Sequence, residues 1–456
     1  MSDIDLLYRF NDDVLSVARD GNRIVLEVRD HRPIGFTAAA ASHADAIEAL
    51  AGEGTTLQRL DQVAAAGDDG TAARRAVRFY LERFAFGRLL GWRLADRSGP
   101  MAAVTAMASR YRPADTAPPA GLVQLGRFAF LRRVDGKAVL ESGSAKVRAE
   151  FDERGLELLA SILAVPSPAE PGSLAEALWR LGLFESTAMQ EPAGRRCWEF
   201  HDLLLHELSR SNRDVGVVGA TYRLEKVLPS ASAIKPAMPG ERIALDPVDS
   251  SAVRRASRPL DEVQAARRSL RRYAAGPLSR SRLGEFLWRV CRTTAHIDSQ
   301  RQDLISRPYP AGGSINELEF YAAVRRCDGL EPAVYHYDGH RHELVRLPSS
   351  GRAAGKIVDR SATAMGLAAD ESRPDVTIVI ASRLPRLAWK YQGMAYRASL
   401  MNAGVVFHLM YMVATDMGLA PCANGTGDSR LLEAVTGIDP LEETAIAEFA
   451  LGMPGA

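Results

Sequence analysis

Residues 389–428 read WKYQGMAYRASLMNAGVVFHLMYMVATDMGLAPCANGTGD and combine a long apolar segment with titratable side chains and a glycine-rich turn. From Ala403 to Ala414 the segment is apolar on every side except at His408, which predicts a buried core helix. The segment is shorter than the ~20 apolar residues that cross a bilayer. Gly418 stands where a left-handed C-cap would end the helix.

Two side chains that can transfer protons, Lys390 and Tyr391, precede this helix, and the small residues of the turn Cys422–Gly427 follow it. Glycines let the backbone amides of such a turn approach a ligand closely. A lysine acts as a base only where its surroundings favour the neutral amine, so an ordinary surface lysine and a core tyrosine are the alternatives. The pattern indicates a cofactor site at the ends of the helix.

The composition of the 456 residues, 46% hydrophobic and 25% charged, is that of a globular protein of two or three domains. A formal net charge of +1 argues against a general polyanion-binding role, so we expect no nucleic-acid partner. The four cysteines form no CxxC pair, which argues against a metal site or a disulfide framework. The acidic N-terminus lacks the order of a signal peptide, so we expect a cytoplasmic protein without a membrane partner.

Residues 1–228 alternate short strand-like segments with amphipathic helices. This order predicts a winged-helix-like unit in residues 1–115 and a second winged-helix-like or helical unit in residues 120–228. No helix in this region carries the clustered Lys and Arg that a phosphate backbone requires. Peptide docking is therefore favoured over DNA binding, with a purely structural role as the alternative.

The remaining chain predicts a linker over residues 229–245 and an α+β domain over residues 246–456. Proline and low periodicity indicate the linker. Strand-like runs at 318–325, 376–381 and 445–451, with a hairpin turn at Asp338–Gly339, predict a mainly antiparallel sheet packed against buried helices.

The segment Asp261–Arg272 begins with acids and ends with bases, which predicts a helix. Arg267, Arg268, Ser269 and Arg271 place guanidinium groups and a hydroxyl at its end. Guanidinium forks match phosphate oxygens bidentately, so these residues are candidates for holding a phosphate. A solvated basic helix end is the alternative.

A second candidate ligand loop, SRPYPAGGS, covers residues 306–314. Its prolines stiffen the backbone, and Gly312 and Gly313 permit conformations that other residues resist. Asn316 and Glu317 follow and can hydrogen-bond a ligand. A structural turn would explain the same glycines.

Four motifs occur in one order along the C-terminal half: ARRSLRRYAAGPLS, SRPYPAGGSINELEFYAAVRRCDGLEPAVYHYD, WKYQGMAYR and GLAPCANGTGD. Together they resemble the nitroreductase-like flavoenzymes, specifically the SagB-type azoline dehydrogenases that modify ribosomally made peptides. The resemblance covers residues 242–452. It implies an FMN-dependent oxidoreductase, a homodimer, a precursor peptide as substrate and a cyclodehydratase complex as a candidate partner.

The resemblance also implies roles for individual residues. Arg267, Ser269 and Arg271 match the RxSxR pattern that holds the flavin's phosphate and polar edge, and Arg268 lies within it. Lys390 and Tyr391 match the pair regarded as catalytic.

Two further segments match positions beside the flavin ring. The loop Pro310–Asn316, which contains Gly312, Gly313 and Ser314, matches the segment that runs along it, and Asn424 with Gly425 matches the turn whose backbone faces it. Related nitroreductases have another basic phosphate ligand near their C-terminus. It has no counterpart in LGMPGA, and Arg397 is the candidate replacement.

Three functions follow from these motifs. The first is FMN-dependent oxidation of azolines in a peptide, the second a nitroreductase-like oxidation or reduction of another peptide or small molecule, and the third a peptide-binding module without catalysis. Which of Lys390 and Tyr391 takes the proton stays open at this level.

Overall fold

The computed structural model describes residues 3–66, 70–109, 111–118, 120–211, 217–369 and 371–455. The chain divides into two compact units, Met1–Gly216 and Val217–Ala456. The segment predicted as a linker, 229–245, therefore falls inside the second unit. There Glu241–Ala244 forms an edge strand by pairing with Glu343–Arg346.

The first unit contains thirteen strands and seven helices among its described residues. The strands are β1 (Asp5–Phe10), β2 (Val14–Asp20), β3 (Arg23–Val28), β4 (Ile34–Thr37), β5 (Thr55–Thr56), β6 (Leu90–Asp96), β7 (Gly99–Ala106), β8 (Leu122–Leu125), β9 (Ala129–Val134), β10 (Lys137–Ser142), β11 (Val147–Phe151), β12 (Ser167–Pro168) and β13 (Phe184–Ser186). The helices are α1 (Ala41–Glu48), α2 (Leu57–Ala65), α3 (Gly70–Phe86), α4 (Glu153–Leu163), α5 (Leu174–Arg180), α6 (Ala193–Arg196) and α7 (Phe200–Leu208).

One seven-stranded sheet, in the order β5-β1-β6-β7-β11-β10-β9, joins strands from both halves of this unit. A single buried core likewise includes Trp92 from the first half and Leu140 from the second. Described parts of 1–115 and of 120–211 thus share a sheet and a core, whereas residues 217–228 fall in the second unit. The description of either stretch as winged-helix-like stays a prediction.

The second unit contains eleven strands, seven helices and a 3-10 turn at Gly312–Ser314 among its described residues. The strands are β14 (Gly219–Ala220), β15 (Glu241–Ala244), β16 (Ala295–Ile297), β17 (Leu304–Ser306), β18 (Leu318–Val324), β19 (Ala333–Asp338), β20 (Glu343–Arg346), β21 (Val376–Ser382), β22 (Tyr391–Gln392), β23 (Ala420–Asn424) and β24 (Thr444–Gly452). The helices are α8 (Ser250–Ala256), α9 (Leu260–Ala266), α10 (Arg280–Cys291), α11 (Gly351–Ala364), α12 (Leu384–Lys390), α13 (Ala395–Asp416) and α14 (Ser429–Thr436).

The main sheet of this unit has the order β15-β20-β19-β18-β21-β24-β23, and every described pairing in it is antiparallel. Side chains alternate across a strand, so β18 sends Phe320 to one face and Tyr321 to the other. Phe320 packs in a core with residues of α10 and α13, and Tyr321 in a core with residues of α11 and α14. The predicted α+β arrangement of an antiparallel sheet with buried helices is confirmed.

The helix predicted over Asp261–Arg272 is shorter in the structure. α9 ends at Ala266, and Arg267 adopts an extended conformation with ψ of 124°. The Leu270 N–H then donates to the Pro421 carbonyl at 2.9 Å. This contact with the end of the sheet competes with helix propagation, and it converts the basic helix end into an extended segment.

The helix α13 differs from its prediction in length and in burial. It has 22 residues, and by length and composition alone it is the one described helix that could cross a membrane, with half of its apolar window buried. Ala403 and Val406 are buried as predicted. Leu400, Met401 and Val405 are exposed, by 38%, 60% and 39%, so the helix is not buried on every side.

Candidate functional site

Lys390 and Tyr391 lie where α12 meets a short strand. The helix ends at Lys390, and Tyr391 leaves the helical conformation with φ −102° and ψ 128°. Both residues are half-buried. The Lys390 Nζ atom lies 5.4 Å from the centre of the Tyr391 ring and 5.8 Å from the centre of the Tyr222 ring. The amine therefore lies within cation–π distance of two aromatic side chains.

The glycine loop packs directly against this pair. Gly313 has a φ of +63°, a left-handed conformation that glycine adopts at little cost. A Cβ atom at this position would stand 2.6 Å from Lys390 Nζ and 2.6 Å from the Tyr391 hydroxyl oxygen. The structure thus brings together three predicted site residues from two distant segments, and the absence of a side chain at Gly313 leaves room for Lys390 and Tyr391.

The rest of the loop contains two residues with strained backbone conformations, and a buried side-chain amide anchors it. Pro310 and Ser314 are exposed, whereas Asn316 is only 3% exposed. Ser314 and Asn316 both have positive φ, +57° and +48°. The Asn316 Nδ2 atom donates to the Ile305 carbonyl at 2.5 Å, and its Oδ1 has no partner among the described residues. Asn316 therefore anchors the loop from the protein interior.

Asn402, on α13, connects the loop to the core and was not among the predicted residues. Its Oδ1 accepts from the Gly312 N–H at 3.2 Å, and its Nδ2 donates to both carboxylate oxygens of Glu317 at 3.1 Å. Burial raises the pKa of Glu317. A lone asparagine in an apolar helix was the sequence signal for this residue, because a buried amide needs partners.

Arg386 is a second residue that sequence reasoning missed. It is fully buried on α12, and its guanidinium donates to the carbonyls of Ala231, Asp303 and Ile315 at 2.5, 3.0 and 2.7 Å. Burial lowers its pKa to about 10. Its contact with Ile315 fixes the glycine loop beside the helix that carries Lys390.

The predicted phosphate residues lie on the extended segment after α9. Alternation in such a segment places Arg267, Ser269 and Arg271 on one side. The Arg267 guanidinium lies 5.3 Å from the centre of the Tyr411 ring, and the hydroxyls of Ser269 and Tyr411 are 2.7 Å apart. Arg271 lies beside the sulfur of Cys422. These three side chains converge near the start of the glycine turn.

Two of the predicted cofactor residues lie elsewhere. The Arg268 Nη1 atom donates to the carbonyls of Ala265 and Arg267, both at 2.8 Å, so it caps α9. Arg397 lies in the first turn of α13, and its distance from Tyr411 along that helix is about 21 Å at 1.5 Å per residue. Arg397 therefore does not complete the arginine cluster within the same chain.

The turn after β23 is fixed by the side chain of Asn424. Its Nδ2 donates to Glu448 at 3.1 Å, and its Oδ1 accepts from the Thr426 backbone N–H at 3.0 Å. Burial raises the pKa of Glu448 to about 7. A Cβ atom at Gly425 would meet no described atom within 4 Å, so the backbone there faces open space. A carboxylate in the apolar strand β24 was the signal that sequence reasoning overlooked.

These features fit the two ends of a flavin mononucleotide. Guanidinium groups and hydroxyls at Arg267, Ser269 and Arg271 suit a phosphate. The glycine loop that Asn402 holds and the open backbone at Gly425 suit the polar edge of a ring. Asn402 and Tyr411 are separated by about 13 Å along α13, a span that an extended FMN can bridge.

Two known families match different parts of the chain. Residues 265–453 match the nitroreductase family, and residues 123–215 match the cyanobactin oxidase ThcOx. The C-terminal domain is nitroreductase-like. A protein of Methanocaldococcus jannaschii named as a candidate nitroreductase is 26% identical over 166 residues, which cover 36% of this chain and 78% of that protein. The family match supports an oxidoreductase, and this family typically binds a flavin.

Solved structures of similar proteins come from several bacteria. A candidate nitroreductase from Ralstonia eutropha is 18% identical and covers 50% of this chain and 100% of its own, with a TM-score of 0.38. A chain of the E. coli microcin synthetase McbBCD complex with truncated pro-MccB17 bound is 17% identical. The alignment covers 53% of this chain and 84% of that chain, with a TM-score of 0.35. A candidate nitroreductase from Desulfovibrio desulfuricans, in complex with FMN, is 15% identical. The alignment covers 44% of this chain and 88% of that chain, with a TM-score of 0.29.

Proposed function

We propose that this protein is an FMN-dependent dehydrogenase that oxidises thiazoline or oxazoline rings to thiazoles or oxazoles in a ribosomally synthesised peptide. The observation that carries the proposal is the convergence of Gly313, Lys390 and Tyr391. A backbone segment suited to run beside a flavin lies against two proton-transfer groups, so one substrate ring could reach both. The match of residues 123–215 to a cyanobactin oxidase supports a peptide as the substrate.

Conversion of an azoline to an azole removes a proton from one ring carbon and a hydride from the other. Bound FMN supplies the two-electron acceptor for the hydride. Lys390 or Tyr391 takes the proton, and the other member of the pair holds the ring heteroatom or relays the proton. Because Gly313 has no side chain, both groups can lie directly against the loop backbone.

The first unit, Met1–Gly216, is proposed to hold the precursor peptide, and a cyclodehydratase is proposed as the partner that forms the azoline. Removal of residues 1–216 should weaken the binding of a labelled precursor peptide, as measured by fluorescence anisotropy. Unchanged affinity would assign this unit a purely structural role.

The function is tested by identifying the flavin and by asking what reduces it. Purified protein should be yellow and should release FMN on denaturation. Mixing it without oxygen with an azoline-containing peptide should bleach the flavin, and mass spectrometry should show the loss of two hydrogens from the peptide. FAD, or the absence of flavin after reconstitution, would refute the cofactor assignment.

A second candidate is a nitroreductase-like oxidoreductase for another peptide or a small molecule. The similarity to the Methanocaldococcus jannaschii protein favours it. A flavoprotein that is bleached by a nicotinamide cofactor and not by the azoline peptide would support this second function over the first.

A further inference from the structure

Residues 217–238, which we call the strap, cross the segment that carries the proposed catalytic pair. Within the second unit, Gly219 pairs with Gln392 and Ala220 pairs with Tyr391 in a short antiparallel bridge. The Thr221 Oγ1 atom adds a hydrogen bond to the Gln392 Oε1 atom at 3.0 Å. The strap is therefore paired with the backbone of the short segment that contains Tyr391.

Tyr222 follows this bridge and contacts Lys390 in two ways. Its backbone N–H donates to the Lys390 carbonyl at 3.1 Å, and its ring centre lies 5.8 Å from Lys390 Nζ. Tyr222 has a φ of +53°, a conformation that is uncommon for a residue other than glycine. Such strain persists only where surrounding contacts enforce it, and it concentrates at functional sites.

Further contacts fix the orientation of the Tyr222 ring. The Trp389 ring meets it edge-on, with 5.8 Å between the ring centres, and the Arg301 guanidinium lies 4.6 Å from its centre. Trp389 is in turn bonded to the strap, because its Nε1 donates to the Leu228 carbonyl at 2.9 Å. These contacts hold the Tyr222 ring in one orientation beside Lys390.

We propose that Tyr222 is a positioning residue for Lys390 and that it directs the lysine amine toward the space over Gly313. A lysine side chain has a flexible four-carbon stem, so its amine needs neighbours to define its place. Gly313, Tyr391 and Tyr222 supply those neighbours from three separate segments. The inference rests on the proposed role of Lys390 in proton transfer.

The test uses two variants of the full-length protein. Tyr222→Asn removes the ring and tolerates positive φ, because asparagine is enriched in the left-handed region. Tyr222→Phe keeps the ring. Exposed Arg223 on the same strap provides the control variant Arg223→Ala. Flavin content, kcat and KM for an azoline peptide are measured for each.

We expect Tyr222→Asn to lower kcat by about tenfold to a hundredfold, the size of effect that a small misplacement of a reacting group produces. KM and FMN content should stay near those of the unaltered protein, and Tyr222→Phe should restore kcat. An unchanged kcat in Tyr222→Asn, or a fall that only follows lost flavin, would overturn the proposal.

A second measurement does not depend on turnover. The acylation of Lys390 by an amine-reactive ester, followed by peptide mapping, should become several-fold faster in Tyr222→Asn, while exposed Lys356 should react as before. Unchanged Lys390 acylation would also count against positioning. If Lys390→Ala itself leaves turnover unchanged, the proposed role of Lys390 fails, and the role of Tyr222 fails with it. If Lys390→Ala slows turnover and Tyr222→Asn does not, only the role of Tyr222 fails.

Discussion

At the scale of single residues, Gly313 is the position where the site tolerates least change. Two observations oppose any side chain at this position: its φ is +63°, and a Cβ atom would stand 2.6 Å from Lys390 Nζ and from the Tyr391 hydroxyl oxygen. A side chain there would strain the backbone and push away the flexible ends of both neighbours. The position of Lys390 and Tyr391 therefore depends on residue 313 having no Cβ atom.

We predict that Gly313→Ala slows azoline oxidation by about a hundredfold, because displacement of reacting groups by about 1 Å has effects of this size. FMN should remain bound, since the arginine cluster is untouched. The measurement is the rate of flavin bleaching by stopped flow, with the flavin-to-protein ratio as the check. Gly437→Ala is the matched control, because Gly437 has nearly the same φ, +64°, at the end of α14, and a Cβ there meets no described atom within 4 Å. Equal rates in the two variants would contradict the role of Gly313.

The second prediction at this scale concerns the pair itself. Lys390→Ala and Tyr391→Phe should each leave FMN bound and should each slow bleaching by about 10²–10⁴-fold, the usual cost of losing a general base. The two effects should not add in the double variant if the residues form one proton-transfer unit. Normal bleaching in both single variants would return them to ordinary surface and packing roles and favour the second candidate function.

At the scale of elements, the turn after β23 depends on a buried carboxyl group. Glu448 is 5% exposed on β24, and burial raises its pKa from 4.5 to about 7. Between these two values the folded protein keeps a proton that the unfolded chain has lost. This contribution to stability is complete below about pH 4.5 and is lost as pH rises through about 7.

We therefore predict that Glu448→Gln flattens the pH dependence of stability. Glutamine resembles the protonated carboxyl group and can still accept from Asn424. The variant should gain stability relative to the unaltered protein between pH 5 and 8, on the order of 1–3 kcal/mol. Urea unfolding at several pH values measures this difference, and exposed Glu442→Gln is the control. A constant difference across that pH range would show that Glu448 is not protonated near neutrality.

At the scale of the whole molecule, the exposed face of α13 predicts a homodimer. Tyr396, Leu400, Met401 and Val405 are exposed by 43%, 38%, 60% and 39%. Contiguous apolar surface of this kind marks interaction sites. The helix that also carries Asn402 would then link assembly to the cofactor site.

We predict that Met401→Asp converts a dimer into a monomer and weakens FMN binding, because an unpaired charge would be buried at the contact. Light scattering coupled to size-exclusion chromatography measures the mass, and flavin absorbance measures the cofactor. Leu441→Asp, at an apolar residue that is 81% exposed on another part of the domain, is the control. A monomer that keeps FMN and activity before any substitution would contradict the dimer.

The sequence by itself determined the local elements of the C-terminal domain. Strand-like runs predicted β18 and β21, and the Asp338–Gly339 turn predicted the hairpin of β19 and β20. The ends of α14 depend on local residues in the same way, because Asp428 caps its start and Gly437 ends it in the left-handed conformation. These features depend on neighbouring residues and on side-chain periodicity, so they can be read without knowing the fold.

Only the tertiary structure decided which of these residues meet. The extended path of Arg267–Arg271 depends on its contact with Pro421, and that path turned Arg268 away from Ser269. The sequence also could not show which side of α13 is exposed, because a helix that is apolar all round has no periodic pattern that marks its buried face. Gly313, Tyr222 and Lys390 come from three distant segments, and long-range contacts such as the β14–β22 bridge and the Arg386–Ile315 hydrogen bond hold these segments together. Local patterns carry no information about such contacts, since the free energy that forms them comes from burial of the whole domain.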